Sequence, residues 1–270
     1  MPEIIAPAST PGKISLYSDA GAGMFYAGIK GFCRKERDGV GLPEAGELCR
    51  AAHSKGAKFF AAMNRLPPAG DNSGMEKCIQ TLAAMGADGV ILNDAGIINK
   101  VKRSFPDLYI MASIGLSPLN FREVDFLNKA GADSVLLSEF LDINEIREIR
   151  KQCMVSLELF ADGVREFGFT GKCIMSSYFF QKYSDGKITG SAKRGGTCSD
   201  ICKSSFFCEN QFENRNEAFR FRFEKYGISD KIRELSSITD IFKIHGGLLD
   251  EKEICDIIKG MKDLFENLTD

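Results

Sequence analysis

At 270 residues the chain matches one (β/α)8 barrel, which takes ~250 residues and would use nearly all of it. Its 44% hydrophobic and 27% charged residues exclude a disordered or fibrous chain. A net charge of −2 argues against a large nucleic-acid footprint, no apolar run is long enough to span a membrane, and MPEIIAPASTPG lacks the features of a signal peptide, so the cytoplasm is the expected compartment.

Strand-length apolar runs fall at 3–6, 24–29, 57–63, 88–93, 109–113, 133–138, 155–161 and 240–244. Helical periodicity fills most gaps between them. Met75, Cys78, Ile79 and Leu82 share one face over 73–85, as do Ile143, Ile146 and Ile149 over 143–152. Strand alternating with helix predicts a parallel sheet, closed or doubly wound. A weak internal repeat favours closure: GADGVILND from Gly86 and GADSVLLSE from Gly131, with KGAKFFAAMN near Gly56 as a looser copy. No GxGxxG follows the first strand, which speaks against a dinucleotide fold. The fold expected is therefore an α/β, TIM-like (β/α)8 barrel, a single domain over 1–270. In such a barrel the strands' C-terminal ends carry the site. Asn64, Asp94 and Glu139 stand there as candidate substrate-binding residues, with Ser113 closing the fifth strand.

Past the seventh strand the rhythm breaks. A Gly- and Cys-rich excursion covers about 164–225, too long for a passive loop in a compact domain. Nine cysteines are many for a chain expected in a reducing compartment, where a disulfide framework is not formed. Cys49, Cys78 and Cys255 lie on apolar helix faces and Cys153 at a helix–strand junction, which suits core packing. Cys33, in AGIKGFCRKERDG after the second strand, and Cys173, Cys198 and Cys202 in the excursion all belong to the C-terminal face. Four thiolates there suit an iron–sulfur cluster or a structural zinc, and spacing does not decide between them or exclude an empty site. Cys208, in SSFFCENQF, fits a buried aromatic face better than a fifth ligand.

In SLELFADG, alternation turns Leu157, Leu159 and Ala161 toward the helices and Ser156, Glu158, Phe160 and Asp162 into the barrel. Inward carboxylates are costly unless paired. Glu158 and Asp162 are candidates for acid–base or orienting work; the bland alternative is an ion pair with Lys243. His245, in KIHGG, is a candidate proton carrier or an ordinary loop residue. Lys193 and Arg194, beside Gly195 and Gly196, would bring positive charge for an anionic substrate, or form a solvated loop. No Ser-His-Asp arrangement or HExxH motif supports proteolysis.

The run ELFADGVREFGFTGKCIMSS, with SAKRGGTCSDIC after it, resembles the signature of the collagenase-like peptidase U32 family. Glu158, Phe160, Gly163, Gly171, Cys173 and Ser176 fall on that pattern; LNDAG at 92–96, PDLYIMAS at 106–113 and FKIHG at 242–246 are further matches. Departures are Glu166 where many members carry Cys, Asp162 where they carry His, and KIHGG for the usual KIEGR. One branch, acting in oxygen-independent ubiquinone biosynthesis, is similar in its loop after the second strand. That likeness implies Cys33, Cys173, Cys198 and Cys202 as ligands of a [4Fe–4S] cluster, with zinc the alternative. An insertion between Cys173 and Cys198 sets this chain apart from that branch. The resemblance implies oxygen-independent hydroxylation of a quinone precursor or similar small aromatic or anionic substrate, alongside a paralogous U32 partner. RNA-base hydroxylation is the alternative, disfavoured by mild acidity and by the greater length of RNA-modifying members; the family's protease label is the remaining one.

Overall fold

The computed structural model describes every residue except 36–37, 67–72, 165–197, 199–205, 211–216, 222–224, 228–230, 246–248 and 268–270. Seven parallel strands alternate with helices: β1 (Glu3–Pro7), α1 (Pro11–Ala20), β2 (Met24–Gly28), α2 (Leu42–Ser54), β3 (Lys58–Met63), α3 (Ser73–Ala84), β4 (Gly89–Leu92), α4 (Ala95–Ser104), β5 (Tyr109–Ala112), α5 (Phe121–Ala130), β6 (Ser134–Leu136), α6 (Ile143–Gln152) and β7 (Ser156–Val164). After the excursion come β8 (Phe206–Asn210), β9 (Glu217–Phe221), β10 (Lys225–Gly227), α7 (Ile232–Leu235), β11 (Ile241–Ile244) and α8 (Glu251–Glu266). β11 is the eighth barrel strand. It lies between β7 and β1, and β6 pairs with β7, so the sheet closes. All eight predicted strands are present.

Within the excursion β8 and β9 form an antiparallel hairpin, and β10 returns to pair antiparallel with the end of β7. That pairing carries β7 to Val164, past its predicted end at 161. Cys208 lies on β8, its side chain outside the described residues.

Strand alternation divides the core. Ile4, Ala6, Phe25, Phe59, Val90, Leu92, Ile110, Leu157, Leu159 and Phe242 face the helices. Ile5, Met24, Phe60, Ala62, Ile91, Met111 and Ile241 fill the barrel, with Tyr26 and Tyr109 against them. The core thiols sit in the outer layer: Cys49, Cys78, Cys153 and Cys255 are all buried there. Burial pushes the Cys49 and Cys78 thiols up to about 11, a range in which they stay protonated and inert at neutral pH.

The N-terminal end of the barrel carries a brace used three times. An aspartate just before one strand accepts from the backbone N–H of the second residue of the preceding strand, and its own N–H returns a bond to that residue's carbonyl. Asp88 holds Phe59 this way at 2.8 and 3.0 Å, Asp133 holds Ile110 at 2.8 and 2.8 Å, and Asp240 holds Leu157 at 2.8 and 3.0 Å. Each carboxylate also meets a basic side chain from the last turn of a helix: His53 of α2 at 2.9 Å, Lys102 of α4 at 2.8 Å and Arg150 of α6 at 2.8 Å. A cation at a helix C-terminus is favourable in itself. Asp88 and Asp133 are the aspartates of the two GAD repeats, so that repeat encodes a brace as well as a strand start.

Candidate metal centre and substrate cleft

At the opposite, C-terminal end, the segment after β2 folds back on itself: Val40 N–H donates to Gly28 O at 2.8 Å and Lys30 N–H to Val40 O at 2.9 Å. Cys33 is held inside this loop. It is 3% exposed, yet it is not part of the apolar core. Its thiol donates to Lys35 O at 3.3 Å. Two glycines make room for it. A Cβ on Gly28 would lie 2.7 Å from Cys33 Cβ, and one on Gly39 would lie 2.9 Å from Cys33 Sγ. Asn64, beyond β3, accepts from Arg34 N–H at 3.0 Å through Oδ1, so this predicted substrate residue fixes the Cys33 loop.

Cys198 comes back from the excursion to the same place. Its backbone N–H donates to Arg34 O at 2.7 Å, which sets it one residue away from Cys33 across that bond. The donor chemistry and this juxtaposition fit a thiolate-bound group. Cys173, Cys202, Lys193 and Arg194 lie outside the described residues. Among the described residues no three His, Cys, Asp or Glu side chains could together hold a metal.

A cleft of about 650 Å³ opens beside the Cys33 loop. Tyr26, Gly28, Cys33, Arg34, Asn64 and His245 are among its walls. Tyr17 forms part of the floor, its phenol pushed up to about 12 by burial and then by Glu251. His245 packs edge-on to Phe160, ring centres 5.4 Å apart, and its N–H donates to Asp162 O at 3.2 Å. Asp162 and His245, separate candidates in the sequence, therefore meet through the backbone at the ends of β7 and β11.

Glu158 lies deeper. It is fully buried, accepts from the Ser134 hydroxyl, and faces Lys243 Nζ at 3.5 Å. The ion pair offered as the bland alternative is thus present. Burial pulls the Lys243 ammonium below its ordinary range, opposed by the charge of Glu158. Lys243 also stands 5.0 Å from the centre of the Tyr26 ring, and Tyr26 donates its hydroxyl to Ile244 O at 2.9 Å. Tyr26 both touches Lys243 and lines the cleft, so it separates the pair from the cleft.

The remaining candidates divide by strand parity. Ser113 is inward and 4% exposed. Asp94 instead caps α4, its carboxylate accepting from Ile97 N–H at 3.1 Å. Glu139 is half-buried in the turn after β6. The inward residues at those strand ends are their neighbours, Asn93 and Ser138, buried at 5% and 2% exposure. Sequence reading missed both, although counting two residues on from inward Ile91 and Leu136 reaches them.

The family model for peptidase family U32 matches residues 10–270. The chain is 29% identical to tRNA hydroxylation protein P of Haemophilus influenzae over 77% of its own length and 44% of that protein. It is 24% identical to a 23S rRNA 5-hydroxycytidine synthase of Escherichia coli over 84% of its length and 33% of the relative. It thus spans less than half of either relative. The solved structure of a U32 peptidase superposes with a TM-score of 0.59 at 14% identity, covering 93% of this chain and 95% of that one, a likeness of fold. No helix among the described residues is long and apolar enough to cross a membrane.

Proposed function

The chain belongs to peptidase family U32, and from that premise we propose that it is the barrel part of an RNA-base hydroxylation protein holding a [4Fe–4S] cluster at its mouth. The observation that carries the reading is the similarity to proteins named for tRNA hydroxylation and for 5-hydroxycytidine synthesis in rRNA. It reverses the order drawn from the sequence, where the likeness of the Cys33 loop to the ubiquinone branch put quinones first and mild acidity and chain length set RNA behind. The cleft wall carries Lys13, Arg34 and Lys35 together with Asp38, Asp250 and Glu251, so charge does not decide between the two readings and the similarity does.

Cys33, Cys173, Cys198 and Cys202 would hold the cluster, which when bound supplies electron transfer or an iron site for an oxygen-bearing donor. The bond from Cys198 to Arg34 O supports this ligand set, because it joins the excursion to the Cys33 loop. Asn64 positions that loop. His245 borders the cleft, where an imidazole can carry a proton, and its backbone is held by Asp162 O. Glu158, sealed under Tyr26, orients Lys243 rather than touching a bound molecule. A paralogous U32 protein would be the partner.

The test is mass spectrometry of total RNA nucleosides from a deletion strain, with and without the gene restored, together with iron, sulfide and zinc analysis of anaerobically purified protein. Hydroxylated uridine or cytidine that disappears and returns with the gene, with iron and sulfide matching one cluster, is expected. Intact RNA modification with loss of hydroxylated quinone would favour the quinone reading, which rests on the likeness of the Cys33 loop. Stoichiometric zinc without iron would make the thiols a staple.

A further inference from the structure

Asn93 stands apart from the other buried polar residues of the mouth. Its side chain is 5% exposed, and Oδ1 has no hydrogen-bond partner among the described residues. A buried carbonyl oxygen without a donor is costly, and native proteins rarely keep one without a use for it. Thr239 Oγ1 also lacks a partner, but it lies at the other end of the barrel, on the approach to β11.

Position gives Asn93 a use. It follows β4 in the inward register, two residues past Ile91 of the barrel interior. Ala62 pairs with Ile91 across β3 and β4, and the same register two residues on sets Asn93 beside Asn64, which lines the cleft. Adjacent strands lie about 4.8 Å apart, so Asn93 stands one strand away from the cleft wall at Asn64, deeper in the barrel mouth. On its other side the pairing of Leu92 with Ala112 sets it beside Ser113. Gly115 backs the amide: a Cβ there would lie 2.1 Å from Asn93 Oδ1 and 2.2 Å from Nδ2. Any other residue at 115 would take the amide's place.

We infer that Asn93 is the base-reading group of this mouth, a subsite whose amide pairs with the hydrogen-bonding edge of a pyrimidine. This rests on the RNA reading above. A carboxamide offers an acceptor and a donor side by side. The N3–H and O4 of uracil complement it, as do the N4 amino group and N3 of cytosine, and each supplies the donor that Oδ1 lacks. Ser113, on the next strand, and Ser138, on the one after it, are short, polar, inward and buried. Phe140, two residues past Ser138 in the turn after β6, is 64% exposed, an aromatic side chain of the kind on which a base can stack.

The experiment compares the wild-type chain with Asn93→Leu, which keeps the volume and removes the amide, and Gly115→Ala, which keeps the amide and displaces it. Each is tested for restored RNA hydroxylation in the deletion strain, for binding of a pyrimidine-only and a purine-only RNA decamer, and for Tm. The expected result is at least tenfold weaker pyrimidine binding and a matching loss of modification in both variants. The Tm of Asn93→Leu should equal or exceed that of wild type, which separates the effect from misfolding. Wild-type binding and modification in Asn93→Leu would overturn the subsite and leave the RNA reading standing. Equal Asn93-dependent binding of the purine decamer would overturn the pyrimidine assignment. Failure of the wild-type gene to restore any RNA modification would overturn the RNA reading itself, and this inference with it.

Discussion

At the N-terminal end of the barrel, Asp88, Asp133 and Asp240 each satisfy a strand's first free N–H and a helix-end cation with one carboxylate. At the C-terminal end the polar groups are arranged differently. Asn93 Oδ1 has no partner among the described residues, and Cys33 occupies a hollow made by two glycines. One end repeats a motif because its task, joining strand to strand, is the same at each repeat. The other end shows no such repeat among the described residues, as expected if its side chains suit a bound molecule. The three braces close their hydrogen bonds at the stability face, although Thr239 Oγ1 there has no partner among the described residues, and at the mouth Asn93 Oδ1 has none.

The Glu158–Lys243 pair lies between the two ends and tests the division most severely. Lys243→Met strands a fully buried carboxylate and should cost about 3–5 kcal/mol in urea unfolding. Glu158→Gln combined with Lys243→Met should recover most of that loss, since a neutral amide needs no cation and can still bond Ser134. A double variant as unstable as the single one would mean that the pair stabilises the barrel by more than mutual neutralisation.

The cysteines draw the same line by pH. Cys49 and Cys78, with thiols at about 11 when folded against 9.0 as the ordinary value, bind protons more tightly folded than unfolded. Their contribution is complete below pH 9 and is lost between pH 9 and 11, about 2 kcal/mol for each thiol by the top of that window. Thermal unfolding should show Tm falling over that range, and Cys49→Ala with Cys78→Ala should flatten the fall at the cost of a lower plateau. Cys33→Ala should instead reduce the iron that the proposed cluster would bring, measured on anaerobically purified protein.

Much of this architecture is legible in the sequence. Apolar runs such as KFFAAM and GVIL are buried on both faces, and the spacing of such runs is enough to place eight strands. Glu158 reads correctly as inward because SLELFADG alternates cleanly. Asp94 and Glu139 attracted attention as charged residues at strand ends, but a strand of only four or three residues gives parity little length to declare itself, and the charged residue fell on the outward side. Uncharged Asn93 and Ser138 carried no signal of charge. The brace at Asp240 was invisible for another reason: it lacks the GAD context of its two counterparts, and only closure of the barrel brings it to Leu157.

The braces themselves predict a graded series. Asp133→Ala removes a bonded N–H partner and the Lys102 ion pair together, and should cost about 2 kcal/mol with iron content unchanged. Removing the cations should cost less, in the order Arg150, Lys102, His53. Arg150 reaches Cys153 O and Val155 O besides Asp240, so Arg150→Met leaves two carbonyls as well as a carboxylate short of a donor. Lys102 adds one carbonyl, Leu108 O at 3.1 Å, to both oxygens of Asp133. His53 touches Asp88 alone, in a pair whose side chains are 46% and 29% exposed. Water can replace it, and Phe59 N–H stays bonded to the carboxylate, so His53→Gln should cost under about 1 kcal/mol. If His53→Gln proved as costly as Arg150→Met, the cation rather than the backbone bond would be the working part of the brace, and the three sites would owe their likeness to charge instead of strand geometry.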